Sequence, residues 1–257
     1  RWNEFGAVVL NNPHNATGRV FDEAGICKLI TWLLEHHVYV VDDLSYQEVA
    51  PAADLPGMKT LRQIADDLVR SGKLSEEQTA KIITVHSVSK TDCLAGARLA
   101  IVEVRDDQLF RRFVDAQRHI LPNLGAIALT YLFYRNETEV ARSYWRLRNR
   151  IFLERSESLL EAVRTLPPDR NPFHIDIIPP SGSMYPLMVI HDLPSGLSLD
   201  WLASGLARQG IGMLPLSTFA RTEEGFETGR KTFRLTLGGT DGAEVLLTKT
   251  RRVLIDL

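Results

Sequence analysis

Ile82-Ile83-Thr84-Val85-His86-Ser87-Val88-Ser89-Lys90 is the stretch on which the fold turns. Its opening is apolar or β-branched without a break, which suits a strand covered on both faces, and the polar run after it marks the strand's end. A lysine at a strand's carboxyl end can be held in a dry pocket, where its amine gives up a proton more readily and becomes a nucleophile. Ser87 and Ser89, with Gly96 and Arg98 downstream, add hydroxyls and a guanidinium fork of the kind that grips a phosphate. Taken alone, Lys90 reads first as a solvated surface lysine, the commonest place for that residue.

Outward from this stretch, short apolar runs alternate with amphipathic ones. Ala7 to Leu10 reads as a strand, about Asp22 to His36 as a helix, Tyr39 to Asp42 as a strand, and about Leu61 to Arg70 as a helix closed by Gly72. The unbroken apolar character of Val38 to Val41 and of Ile82 to Val85 predicts a parallel sheet with helices on both faces, a three-layer α/β/α large domain. In such a sheet the strands' carboxyl ends carry the site. A helical stretch from about Thr138 to Val163 is long enough to bridge two domains. Past it come Pro-rich Leu166 to Pro172 and Ile178 to Gly182, strand-like Tyr185 to Ile190, a helix after Ser198, strand-like Ile211 to Leu214 and Thr232 to Leu237, and a final helix. That pattern predicts a smaller α+β domain, placed at residues 151–257 after a large domain at 1–150.

Two further strand ends bear chemistry. Asp43, three residues before Tyr46, offers a carboxylate for a protonated ring nitrogen and a phenol for a ring oxygen. The same pair also fits a turn cap with a half-buried tyrosine, and Asp42 rivals Asp43, the offset to Tyr46 alone selecting between them. Asn12-Pro13-His14-Asn15-Ala16-Thr17-Gly18 follows the first strand and, by itself, reads as a turn.

Composition removes several classes of function. A chain of 257 residues with 44% hydrophobic and 24% charged residues has ample core, and a net charge of −2 gives no basic field for nucleic acid. No apolar run approaches the ~20 residues of a membrane-spanning helix. Cys27 and Cys93 are too few for a disulfide framework, and the histidines share no ligand spacing, so no metal site is expected and a reducing cytoplasm is the default. Because the chain opens at Arg1 and enters a strand within a few residues, it reads as one entered partway through.

The three strand-end segments, in this order, resemble the class I/II aminotransferases of pyridoxal-phosphate (PLP) fold type I. That family carries Asn-Pro-x-Asn-Pro-Thr-Gly, then Asp-x-x-Tyr, then Ser-x-Ser-Lys with Gly-x-Arg after the lysine. The resemblance implies that Lys90 forms a Schiff base with PLP and shuttles protons, and that Asp43 holds the pyridinium proton. It further implies that Tyr46 and Asn15 bond the ring oxygen and that Ser87, Ser89 and Arg98 grip the phosphate. In Phe233-Arg234-Leu235 it identifies Arg234 as the fork for the substrate α-carboxylate. Pro180 to Tyr185 and Ile211 to Phe219 resemble the family's small-domain segments more loosely.

Ala16 departs from the pattern, standing where the family has proline. A cis bond after Asn15 then costs roughly 3 kcal/mol more than before proline, so a trans bond with a shifted Asn15 is expected. Ala100 replaces a glycine near Arg98. The family's glycine-rich phosphate loop and ring-stacking aromatic are expected upstream of Arg1.

The resemblance implies an aminotransferase acting on an amino acid and a 2-oxo acid, as a homodimer. The same site also suits a PLP-dependent lyase, cyclase or synthase. A ligand-binding domain of a transcription regulator is a further reading.

Overall fold

The computed structural model describes residues 5–50, 58–119, 123–136, 138–170, 174–192, 199–208, 210, 212–239, 242, 244–245 and 248–249. The chain groups into two compact units. One comprises Arg1–His14, Val20–Val49 and Leu55–Arg146, and the other Asn15–Arg19, Ala50–Asp54 and Leu147–Leu257.

The first unit runs β1 (Ala7–Asn11), α1 (Glu23–Glu35), β2 (Tyr39–Asp43), α2 (Leu61–Arg70), α3 (Glu76–Thr79), β3 (Ile82–Ser87), α4 (Val88–Thr91), β4 (Ala100–Val104), α5 (Asp107–Gln117) and α6 (Leu124–Asn136). Then α7 (Thr138–Arg164) begins here and contributes its residues from Leu147 to the second unit. The α/β class is as the rhythm indicated, but the sheet is not wholly parallel. Its order is β1-β2-β3-β4, with the first two pairings parallel and β4 antiparallel to β3. The link from β3 to β4 holds only the single turn α4 and a 3-10 turn, too little for a crossover helix, so the chain returns beside the strand it left.

Local chemistry sets the helix ends. Asp22 caps α1 by accepting the Gly25 N–H, and Thr60 and Gln63 form a capping box on α2. The α1 residues Ile26, Ile30, Leu33 and Leu34 recur at helical spacing, and all are buried against Val40, Ala65 and Ile82. Each such side chain contributes roughly 1.5–3 kcal/mol through its burial. Strand alternation then sorts β2: Val40 and Asp42 point to this core, while Val41 and Asp43 point to the other face, where Val9 is exposed.

The second unit contains β5 (Ile175–Ile178), β6 (Leu187–Ile190), α8 (Leu199–Arg208), β7 (Leu214–Pro215), α9 (Glu223–Gly229) and β8 (Thr232–Arg234). Its sheet has the order β5-β6-β8-β7 and is antiparallel throughout. Strand β5 lies where the sequence shows only proline punctuation, and β8 ends at Arg234 rather than at Leu237. Pro172, Ile211 and most of the final helix lie outside the described residues.

Residues 15–19 belong to this unit because they dock on its 180–185 turn. Gly182 donates its N–H to the Gly18 carbonyl at 2.9 Å. Gly18 has φ +63°, and a Cβ there would lie 2.6 Å from the Pro180 Cβ, so only glycine fits. The cis peptide among the described residues is Asn12–Pro13, and Asn15–Ala16 is trans as expected.

Candidate active site

In the first unit the strand register brings two of the marked segments side by side. Asp43, the last residue of β2, pairs with Val85 of β3, and the Leu44 N–H donates to the Val85 carbonyl at 2.9 Å. The loop after β2 and the Ser87–Lys90 turn therefore leave the sheet from neighbouring strand ends.

The two adjacent aspartates have different tasks. Asp42 is almost wholly buried on the helix side, where its Oδ2 accepts the Leu61 N–H at 2.9 Å. Burial pushes its carboxyl up to about 7, and the Asp43 charge adds to this, while the Leu61 N–H and Arg62 pull the other way. Asp43 is half-buried on the opposite face, and its Oδ1 accepts the Ser45 N–H at 3.0 Å and the Ser45 hydroxyl at 2.5 Å. Asn11 of β1 donates to the Asp43 carbonyl at 3.1 Å. Tyr46 is buried in the loop just beyond.

After β3, Ser87 caps α4 by accepting the Ser89 N–H at 3.2 Å. Lys90 lies in this turn, half-buried. Arg98 takes a left-handed backbone, φ 52°, is exposed, and donates to the Ala95 carbonyl at 3.2 Å. Thus the segments that carry a carboxylate and a phenol, and two hydroxyls and an amine, leave the sheet from two adjacent strand ends.

In the second unit Asn15 and Arg234 meet, although 219 positions separate them. Arg234 Nη1 donates to Asn15 Oδ1 at 2.7 Å. The guanidinium lies between two aromatic rings, 4.2 Å from the Tyr185 centroid and 4.5 Å from that of Phe219. Both rings close stretches marked in the sequence, Pro180 to Tyr185 and Ile211 to Phe219, but their stacking on Arg234 has no sequence signature. Such a fork, fixed in its plane and with further N–H groups to offer, suits a carboxylate.

Among the described residues there is no cluster that could hold a metal ion, and no helix long and apolar enough to cross a membrane. The sequence matches the aminotransferase class I and II family over residues 3–246. The chain belongs to that family. PLP is the cofactor of these class I/II aminotransferases, and the donor set present fits it: an anion for a ring nitrogen, an amine for an aldehyde, and hydroxyls with a guanidinium for a phosphate. No curated protein matches the sequence.

Solved structures share the fold. The α-aminoadipate aminotransferase of Thermus thermophilus, complexed with N-(5′-phosphopyridoxyl)-L-leucine, has a TM-score of 0.67 at 21% identity over 93% of this chain and 56% of that one. The aromatic aminotransferase of Pyrococcus horikoshii has a TM-score of 0.71 at 18% identity, over 96% and 58%. The kynurenine aminotransferase of the same organism has 0.70 at 17%, over 97% and 56%. The chain thus spans little more than half the length of these class I/II aminotransferases.

Proposed function

We propose that this protein is a PLP-dependent aminotransferase that moves an amino group between an amino acid and a 2-oxo acid, with Lys90 as the amine that carries the cofactor. The observation that carries this reading is the Arg234 guanidinium over the Tyr185 and Phe219 rings and bonded to Asn15, a carboxylate fork in the same chain as the Lys90 turn.

When bound, PLP supplies an electron sink that stabilises negative charge at a substrate carbon. The protein's own groups do the rest. The Asp43 carboxylate, oriented by Ser45, accepts a hydrogen bond from a protonated ring nitrogen and keeps it charged. Tyr46 donates its hydroxyl to the ring oxygen, with Asn15 as a second partner. Ser87, Ser89 and Arg98 bind the phosphate, and Lys90 Nζ moves a proton to and from the substrate Cα. Arg234 holds the α-carboxylate, with Asn15 fixing the plane of the fork. By family resemblance the protein works as a homodimer.

Lys90→Ala in the full-length protein is the test. Steady-state assay with an amino acid and a 2-oxo acid acceptor should show a loss of roughly 10³-fold or more. An unchanged rate would refute the assignment, and a wild-type product other than the transferred amino group would favour lyase, cyclase or synthase chemistry.

A further inference from the structure

Helix α4 is one turn of four residues. A helix so short cannot hold its own geometry, since a first turn fixes several dihedrals for a single hydrogen bond. Whatever places Lys90 must therefore come from tertiary contacts.

Those contacts converge on Asp92, the residue after α4. Its N–H bonds to the Val88 carbonyl and closes the turn. Its carboxylate is buried, and Oδ2 accepts the Tyr134 hydroxyl at 2.7 Å while Oδ1 accepts the Trp145 indole N–H at 3.0 Å. The Asp92 carbonyl accepts the Tyr144 hydroxyl at 3.2 Å. Helices α6 and α7 thus supply all three donors. One residue earlier, Thr91 donates its hydroxyl to the Gln47 carbonyl at 3.1 Å, which ties the turn to the loop that follows Asp43. A small cavity of about 200 Å³ lies under this junction, lined by Glu48, His86, Thr91, Asp92, Tyr134 and Trp145 among others.

We infer that Asp92 is the positioning residue of the Lys90 turn: it locks α4 to α6 and α7 and so fixes where the Lys90 amine is presented. The inference rests on Lys90 being the cofactor-bearing amine. Its chemical basis is that a short planar side chain with two terminal polar atoms can bond a phenol and an indole N–H together. A displacement of about 1 Å in the lysine's anchor is enough to impair a reacting geometry.

The test uses the full-length protein with PLP and two readouts, borohydride trapping of PLP on Lys90 followed by peptide mapping, and amide hydrogen exchange. Asp92→Leu should slow trapping about 10-fold and speed exchange across residues 87–94 by a similar factor, with residues 7–43 unchanged. Asp92→Asn should stay within about 2-fold of wild type, because its Oδ1 accepts from Trp145 while its Nδ2 donates to the Tyr134 oxygen. Wild-type trapping and exchange in Asp92→Leu would overturn the inference, and so would an Asp92→Asn as impaired as Asp92→Leu. Should Asp92→Leu not fold, Tyr134→Phe removes one donor and is expected to show about a 3-fold change in both readouts, no change being the refuting result. Absence of label on Lys90 in the wild type would refute the cofactor assignment instead, and the exchange arm would still decide the role of Asp92.

Discussion

Arg234 and Arg98 are both assigned to anionic groups, yet their surroundings differ. Arg234 is half-buried, bonded to Asn15 and flanked by two rings, so its fork is fixed before any ligand arrives. Arg98 is exposed and donates to the Ala95 carbonyl three residues back, a contact within its own turn. The difference shows that the Arg234 guanidinium is pre-organised by side chains of its own unit, while that of Arg98 relies on a local turn. Ordering already completed on folding does not weaken binding, and a less hydrated cation attracts a carboxylate more strongly.

The largest expected effect follows directly. Arg234→Leu should lower kcat/KM for amino-acid substrates by about 10³-fold, whereas Arg98→Leu should weaken PLP binding by about 10-fold. Steady-state kinetics and a fluorescence titration with PLP measure the two. Equal losses would break the comparison and mean that pre-organisation contributes little.

Gly18→Ala probes how Asn15 reaches Arg234. The substitution places a side chain in left-handed backbone and drives its Cβ into Pro180. A destabilisation of about 2–3 kcal/mol is expected in denaturant unfolding, together with weaker binding of substrate and, because Asn15 also serves the ring oxygen, of PLP. A stability equal to wild type would show that residues 15–19 dock on the second unit by other means.

The parts of this architecture that repeat along the chain were legible in the sequence. Apolar runs gave β1, β2 and β3, and the Asp22 cap with Ile26, Ile30, Leu33 and Leu34 gave α1 nearly to the residue. What escaped was set by long-range pairing. β4 carries the same apolar pattern as a parallel strand, and only its short link to β3 makes it antiparallel. β5 is four residues long beside prolines, too short for its alternation to stand out. For the candidate site, the order of the three motifs pointed to Asn15, Asp43 and Lys90, and a fourth match in Phe233-Arg234-Leu235 pointed to Arg234. The aromatic pair around Arg234 and the donors around Asp92 come from distant elements and have no local spacing to read.

Asp42 sharpens the comparison from the first unit, because there a charged group is fixed by burial and the result is a pH-dependent penalty. In the unfolded chain an aspartate titrates near 3.9. In the fold, burial raises the Asp42 carboxyl to about 7. Below pH 4 both states hold the proton, and the group's favourable contribution is complete. Between pH 4 and 7 the unfolded chain releases the proton while the folded one keeps it, so stability falls as pH rises, and it levels off above 7. Asp42→Asn stays neutral at every pH and can still accept the Leu61 N–H. It should match wild type near pH 4 and exceed it by about 1–2 kcal/mol above pH 7, less than the full shift because a buried carboxylate that ionises relaxes its surroundings. Denaturant unfolding of both proteins from pH 4 to 8 measures this. A difference that does not change with pH would show that Asp42 is ionised in the fold at neutral pH, and that burial on the helix side holds a charge as readily as the Arg234 sandwich does.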